Sequence, residues 1–174
     1  MKEIVTGRLR LRRARIDDLE AVHRILSNAD AMRYWATAPH TSLEQSRQWL
    51  ESMIASSRGK SFDFIVEHQG RPIGKAGMFR VPEIGFILHP DEWGRGFAYE
   101  ALSAIIPAAF ARFPIPRIKA DVDPRNGPSL KLLERLGFRE TGRAENTYFI
   151  GGEWCHSVYL ARERRGEERH DRAE

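Results

Sequence analysis

The stretch from Glu83 to Leu102 constrains the fold of this chain more than any other. It opens with an apolar run, Ile84 to Leu88, which has the length of a buried strand. Pro90 ends that run because proline has no N–H to give to a neighbouring strand. After Gly94 and Gly96, apolar residues recur at helical spacing. A strand, a glycine turn and a helix in this order aim free backbone N–H groups at one point, which predicts a phosphate or pyrophosphate site.

Two common phosphate-binding loops do not fit these residues. A Walker loop needs Lys and then Ser or Thr after its last glycine, whereas Phe97 and Ala98 follow Gly96. A dinucleotide-binding loop would need glycine at Tyr99. The sequence that remains is Trp93-Gly-Arg-Gly-Phe-Ala98. At this point, a glycine turn that only joins a strand to a helix is still an alternative.

Two motifs resemble those of the GNAT superfamily of N-acetyltransferases. Residues 93–98 resemble its pyrophosphate loop, usually written Q/R-x-x-G-x-G/A. Trp93 stands at the Q/R position, which is similar to the RimJ/RimL-type branch. The segment from Asn126 to Phe138 resembles N-x-x-S/A-x-x-x-x-E-x-x-G-F, which closes over the pantetheine arm of acetyl-CoA in that superfamily. The two motifs occur in the family order, and the resemblance extends to about Ala161.

The resemblance implies an α/β (α+β) GNAT fold, with a mixed, mostly antiparallel central sheet flanked by helices. The sheet would be splayed between its fourth and fifth strands, which we place at Ile84 to Leu88 and at Ile115 to Val122. Residues 1–161 would form one acetyltransferase domain, and the charged tail 162–174 would be disordered. Turn signals at Gln69-Gly70 and Gly151-Gly152 predict two hairpins.

The resemblance also implies that acetyl-CoA is the co-substrate and that no metal takes part. The cofactor-binding residues that it implies are Phe86, Ile87, Leu88, Gly94, Arg95, Gly96, Phe97, Ala98, Asn126 and Ser129.

Two residues are candidates for proton transfer. Many GNAT proteins use a tyrosine to protonate the departing thiolate, but that position is Leu133 here, and leucine cannot donate a proton. Ser129 lies one helical turn earlier on the same face, and the resemblance to RimL-type enzymes makes it the acid. Helix capping or plain cofactor contact is the alternative for Ser129. Glu83 resembles the carboxylate that takes the amine proton, often through water; a surface carboxylate at a strand end is the alternative.

The acceptor site is predicted around Tyr34 and Trp35, in an irregular segment between helices that begin near Asp17 and Ser42. Aromatic side chains on such a loop can shape a substrate pocket, or they can fill the gap between the helices. The RimJ/RimL resemblance implies an N-terminal α-amine of a protein or peptide as the acceptor. A small-molecule amine such as a polyamine, an aminoglycoside or an amino acid is the alternative.

Composition limits the rival classes of function. The net charge of +4 permits an anionic ligand without demanding nucleic acid. Arg8, Arg10 and Arg12 alternate with leucines on a predicted strand; we expect a solvated outer face rather than an RNA-binding stripe. A second alternative function is that of a CoA-binding regulatory domain without catalysis. Whether the chain is a monomer or a homodimer is not indicated.

The cysteine content and the apolar runs bear on compartment and on chemistry. The single cysteine, Cys155, excludes an internal disulfide and suits a reducing cytoplasm. Its neighbour His156 points to the opposite face of a strand, so a covalent acyl-cysteine route is disfavoured and no zinc-ligand spacing is present. No apolar run approaches the length of a membrane span. We therefore expect a cytoplasmic protein with no membrane partner.

Overall fold

A computed structural model describes residues 3–56 and 61–164. The strands are β1 (Glu3–Val5), β2 (Leu9–Arg12), β3 (Phe62–His68), β4 (Arg71–Arg80), β5 (Glu83–Leu88), β6 (Arg117–Val122), β7 (Arg139–Ile150) and β8 (Glu153–Glu163). The helices are α1 (Leu19–Leu26), α2 (Ala29–Met32), α3 (Leu43–Ser56), α4 (Phe97–Arg112) and α5 (Gly127–Arg135). Two 3₁₀ turns lie at Ile16–Asp18 and Pro90–Glu92.

All eight strands form one mixed sheet in the order β1-β2-β3-β4-β5-β6-β8-β7. Neighbouring strands are antiparallel except for β5 and β6, which are parallel. The ladder between β5 and β6 consists, in the described residues, of the single pair Glu83–Lys119. The predicted fold is therefore confirmed, with the splay between these two strands. They are the fifth and sixth strands rather than the fourth and fifth because β1 precedes the strands that the sequence indicates.

Two apolar clusters hold helices against opposite faces of the sheet. Helix α4 is apolar around most of its circumference, and its buried side chains join the larger cluster. Helices α1 and α3 bury the smaller cluster. Strand β5 contributes to both because alternate side chains point to opposite faces: Leu88 belongs to the larger cluster and Ile87 to the smaller one.

The predicted hairpins and the strand–turn–helix unit are present. Gln69 (φ 50°) and Gly70 (φ 76°) turn β3 into β4, and Gly151-Gly152 turns β7 into β8. The two-residue turns with positive φ match the twist of antiparallel strands.

The prediction of a solvated outer face for the arginine row holds for Arg8 and Arg10, which are exposed, but not for Arg12. Arg12 is only 6% exposed. Its guanidinium lies 2.6 Å from Asp18 and 2.6 Å from Glu67. The reason is that the 3₁₀ turn after β2 brings Asp18 to this end of the strand, and Glu67 reaches it from β3. Arg10 pairs with Glu3 at the surface, and Arg8 is described below.

The ordered chain extends beyond the predicted domain boundary at Ala161. Strand β8 continues to Glu163, and the backbone N–H of Arg164 donates to the carbonyl of Pro116 over 2.7 Å. The predicted disorder of the remaining tail concerns residues 165–174, which lie outside the described residues. Among the described helices, none is long and apolar enough to cross a membrane.

Candidate active site

The glycine turn lies between the end of β5 and the start of α4, as the sequence predicts. Gly94 (φ 71°) and Gly96 (φ 77°) both adopt the left-handed conformation that favours glycine. A Cβ added to Gly94 would meet no atom within 4 Å, so the space in front of this residue is open. A ligand can therefore approach the backbone closely here.

The backbone amides of this loop are available to a ligand. From Gly94 to Tyr99, no backbone N–H donates a hydrogen bond to another group in the described part of the chain. Gly96 caps α4 without a side-chain hydrogen bond, so the first turn of the helix keeps its free N–H groups. These donors, with the positive end of the helix, suit a diphosphate. The predicted cofactor residues Gly94, Arg95, Gly96, Phe97 and Ala98 thus share one surface, and the buried side chain of Phe97 leaves only its backbone for binding.

Two side chains fasten this loop to the rest of the molecule. The indole Nε1 of Trp93 donates to the carbonyl of Leu88 over 3.0 Å, which ties the loop back to the end of β5. Nη1 of Arg8 donates to the carbonyl of Arg95 over 2.9 Å. Trp93 therefore has a structural contact at the position where the wider superfamily has Gln or Arg.

Strand β5 presents its backbone rather than its side chains to the splay. Ile87 and Leu88 are buried in the two apolar clusters, and Phe86 is half-buried against the larger cluster. The backbone of these predicted cofactor residues is what remains to contact a ligand between β5 and β6.

Helix α5 begins with the second motif. The side chain of Asn126 accepts a hydrogen bond from the backbone N–H of Ser129 over 3.2 Å, so Asn126 caps the helix. Ser129 is half-buried, and its hydroxyl makes no hydrogen bond within the described residues. Capping is therefore performed by Asn126 and not by the Ser129 hydroxyl. Leu133, at the position of the usual tyrosine, is fully buried.

A cavity of about 1100 Å³ lies beside the splay. Tyr34 and Trp35 line it from the segment after α2, and Glu83 lines it from the start of β5. Trp35 also packs against the cluster of α1 and α3, so its side chain lines the cavity and fills space beside these helices. Ser129 is not part of the lining, so the structure brings Tyr34, Trp35 and Glu83 together and places Ser129 apart from them.

Buried polar groups hold the segment that carries Tyr34 and Trp35. Ser46 Oγ on α3 lies 2.8 Å from His23 Nδ1 and 2.9 Å from His40 Nδ1. Burial, together with the charge of nearby His23, lowers the pKa of His40. This cluster joins α1, α3 and the end of the aromatic segment.

Tyr148, which the sequence does not single out, forms a further polar pair with Asp121 in the cavity. The hydroxyl of Tyr148 on β7 donates to Asp121 Oδ2 on β6 over 3.0 Å. Burial, the charge and hydrogen bond of Asp121, and the charges of Tyr159 and Glu83 raise the pKa of Tyr148 to about 12. The phenol therefore stays protonated and acts as a hydrogen-bond donor near neutral pH. No local pattern indicates this pair because its members lie on strands joined only through the sheet.

A buried ion pair forms another part of the cavity wall. Lys75 Nζ lies 2.8 Å from Asp63 Oδ2, and both side chains are almost fully buried. The ammonium group lies 5.6 Å from the ring centroids of both Trp35 and Phe79. The ammonium group of Lys75 therefore helps to hold the Trp35 ring in place.

The charges in the lining balance one another. The acidic residues are Asp63, Glu83, Asp121, Asp123 and Glu153, and the basic residues are Arg33, Lys75, Arg80, Arg117 and Lys119. Most of the carboxylates have a cationic partner: Lys75 pairs with Asp63, Arg80 with Glu83, and Arg125 with both Asp123 and Glu153. Asp121 has the phenol of Tyr148 instead.

Cys155 also lines the cavity and is buried. Nη2 of Arg125 lies 3.4 Å from its sulfur, and the same guanidinium lowers the pKa of Asp123 through direct hydrogen bonds. In the described residues, no group of three or more His, Cys, Asp or Glu side chains is arranged to hold a metal ion.

Comparison with known proteins identifies the class that this fold and loop define. Residues 8–139 match the family described as acetyltransferase (GNAT) domain, which is more than half of the chain. The chain therefore belongs to the GNAT family and is an acetyl-CoA-dependent N-acetyltransferase.

Individual relatives differ in the acceptor that their names record. The chain is 31% identical over 151 residues to an uncharacterized N-acetyltransferase, p20, of Bacillus licheniformis, covering 82% of this chain and 85% of that protein. It is 25% identical over 161 residues to the spermidine N(1)-acetyltransferase of Escherichia coli K12, covering 87% and 84%. Its fold matches RimL, a ribosomal α-N-protein acetyltransferase solved with coenzyme A, with a TM-score of 0.81 and 22% identity over 92% of this chain and 96% of that one. The last likeness shows the fold alone.

Proposed function

We propose that this enzyme acetylates the N-terminal α-amine of a protein or peptide, by direct attack of the amine in a ternary complex with acetyl-CoA. The amides of Gly94 to Ala98 would hold the pyrophosphate, and the splay between β5 and β6 would hold the pantetheine arm. Asn126 and Ser129, at the start of α5, would close over that arm. The free amides and the open space at Gly94 support this placement.

In the proposed reaction, residues on β5 and α5 handle the protons. Acetyl-CoA supplies the thioester, whose C–S bond breaks as the amine nitrogen bonds to the carbonyl carbon. Glu83 takes the proton that the amine loses, directly or through water. A backbone N–H at the splayed edge of β5 would stabilise the oxyanion. Ser129 would donate the proton that the departing thiolate receives.

Tyr148 is better suited to positioning than to acid catalysis. Its hydroxyl hydrogen is already directed at Asp121 Oδ2, 3.0 Å away, which leaves it unavailable to a departing thiolate. As a neutral donor it orients Asp121, which lies on the strand next to Glu83. Asp121 would then attract the acceptor's ammonium group before Glu83 removes its proton.

The charge balance of the cavity is the observation that supports an α-amine, rather than a polyamine, as the acceptor. A polyamine has several ammonium groups and needs several carboxylates that no protein cation already neutralises. Here Asp121 alone among the lining carboxylates has no cationic partner in the described residues. One carboxylate suits a single α-ammonium group. The lower α-amine pKa of about 7.7–8.0, against about 10.4 for lysine, also yields more of the reactive neutral form near pH 7.

A polyamine is the second candidate because one relative is a spermidine N(1)-acetyltransferase. Glu83 is partly exposed and Glu153 is exposed, which leaves room for a cation to displace their arginine partners. An acceptor competition separates the two candidates.

The test uses purified protein, acetyl-CoA and three acceptors at equal concentration, with products identified by mass spectrometry. The acceptors are a peptide with a free N-terminus and no lysine, the same peptide with a blocked N-terminus and an internal lysine, and spermidine. We expect the first to react fastest. A higher rate with spermidine or with the lysine peptide would show that the N-terminal assignment is wrong, while the family assignment would stand.

The proton-transfer roles have a separate test. Glu83→Gln should lower kcat by about 10²-fold or more and remove the acidic limb of the pH–rate profile, because the amide cannot accept a proton. Glu153→Gln is the matched control, since Glu153 lines the same cavity on the β7–β8 hairpin. Ser129→Ala should lower kcat more than it raises KM for acetyl-CoA. If kcat is unchanged in both site variants, catalysis depends on positioning alone.

A further inference from the structure

Arg8 connects the start of β2 to the glycine loop, although the two lie far apart in sequence. Its backbone N–H donates to Glu100 Oε1 over 2.8 Å, and its Nε donates to Glu100 Oε2 over 2.7 Å. Its Nη1 donates to the carbonyl of Arg95 over 2.9 Å. One guanidinium thus bridges the first turn of α4 and the loop that precedes that helix.

The contact with the Arg95 carbonyl controls the direction of a neighbouring amide. The Arg95 C=O and the Gly96 N–H belong to one planar trans peptide unit, in which the two groups point in opposite directions. When Arg8 holds the carbonyl on its own side, the Gly96 N–H must point to the other side. That N–H is one of the donors left free at the loop.

The loop needs such an external restraint because, although Trp93 ties it to Leu88 and Arg95 pairs with Glu92, these contacts do not hold the Arg95–Gly96 peptide itself. Gly94 and Gly96 both have positive φ, and glycine can leave that conformation without a steric barrier from a Cβ. Gly96 caps α4 without any side-chain hydrogen bond. The orientation of the amides therefore depends on contacts from outside the loop.

Glu100 holds Arg8 firmly in place. Thr6 Oγ1 donates to Glu100 Oε1 over 2.6 Å, in addition to the two bonds from Arg8. Partial burial raises the pKa of Glu100, but the hydrogen bonds from Thr6 and Arg8 outweigh it and the net pKa is lowered. Its carboxylate also lies in the first turn of α4, where the helix dipole favours a negative charge.

We propose that Arg8 is a positioning residue for acetyl-CoA binding, which orients the Arg95–Gly96 peptide so that its amide faces the pyrophosphate. The Thr6–Arg8–Glu100 group, here called the loop clasp, lowers the cost of ordering the loop when the ligand binds. This inference rests on the assignment of Gly94 to Ala98 to the pyrophosphate in the proposed function.

The test compares Arg8→Ala with Arg10→Ala. Arg10 belongs to the same alternating run as Arg8, but it pairs with Glu3 and does not contact the loop. Calorimetric titration should show the Kd for CoA raised by about tenfold in Arg8→Ala, because a charge-assisted hydrogen bond to the loop is lost. Arg10→Ala should match the wild type. Arg8→Lys should recover only part of the affinity, since one ammonium cannot hold Glu100 and the Arg95 carbonyl in the same fork geometry.

A second readout distinguishes loop positioning from a general structural effect. With S-acetylpantetheine, which has no pyrophosphate, kcat/KM of Arg8→Ala should equal that of the wild type. An equal loss with acetyl-CoA and S-acetylpantetheine, or an unchanged Kd for CoA, would overturn the role of Arg8.

Gly96→Val tests the underlying loop assignment separately, because it places a branched side chain at a residue with positive φ. If Gly96→Val weakens CoA binding and Arg8→Ala does not, the loop assignment stands and only the clasp is wrong. If Gly96→Val has no effect on a protein that still unfolds cooperatively, the loop assignment itself fails.

Discussion

The two ends of β2 show how one alternating sequence pattern serves two purposes. At one end, Arg12 is 6% exposed and lies between Asp18 and Glu67. At the other end, the side chain of Arg8 is 47% exposed and bridges Glu100 and the Arg95 carbonyl. Both arginines come from the same alternating run of arginine and leucine, but their surroundings differ.

Burial explains the difference in what the two ends contribute. An ion pair removed from water is costly to break, because the remaining partner is left as a buried charge without compensation. A partly exposed pair can recover solvation when it is broken, so it contributes less to the free energy of unfolding. We therefore expect the Arg12 end to determine stability and the Arg8 end to determine the geometry of the cofactor loop.

The largest effect is expected at the buried end. Asp18→Ala removes the bidentate partner of Arg12, as well as the acceptor for the backbone N–H of Arg15. The free energy of unfolding should fall by about 3–5 kcal/mol, because the Arg12 guanidinium stays buried with Glu67 alone. Urea denaturation followed by circular dichroism measures this loss.

The matched control for Asp18→Ala is Glu3→Ala. It removes the exposed partner of Arg10, which lies on the same strand as Arg12. It should cost no more than about 1 kcal/mol. Equal losses in the two variants would mean that burial does not distinguish the two ends of β2, contrary to the comparison above.

A smaller, pH-dependent effect is expected at the loop clasp. The folded state lowers the pKa of Glu100, so the ionised carboxylate stabilises the fold above the unfolded pKa of about 4.5. This contribution should be lost as the pH falls through the lower folded-state pKa. The difference in unfolding free energy between wild type and Glu100→Gln should therefore be constant from pH 8 to pH 6 and shrink below about pH 4.5. A difference that grows on acidification would contradict the charged clasp.

Local patterns were sufficient for much of the fold. The run from Ile84 to Leu88, the two glycines and the helix from Phe97 depend on contacts within a few residues of one another. Turn chemistry likewise placed both hairpins, because positive φ at Gly70 and at Gly151-Gly152 is a local requirement. The family resemblance added the mixed, mostly antiparallel sheet and its splay, which no local pattern contains.

The cavity that we propose for the acceptor was only partly predictable. Tyr34, Trp35 and Glu83 do line it, but the Tyr148–Asp121 and Lys75–Asp63 pairs were not foreseen. Each of these pairs joins different strands, and alternation alone cannot show which polar side chains meet across a sheet. The charge balance on which the proposed α-amine acceptor rests depends on all of these partners at once.

The sequence by itself determined where the chain turns, which segments are buried and where a glycine loop precedes a helix, because these follow from backbone freedom and apolar periodicity. Only the tertiary structure decided the fates of Arg8 and Arg12, since a charged side chain takes its role from the groups that surround it after folding. Arg12 meets carboxylates of the 3₁₀ turn and of β3. Arg8 meets the Arg95 carbonyl and the carboxylate of Glu100, on a helix about 90 residues away in sequence.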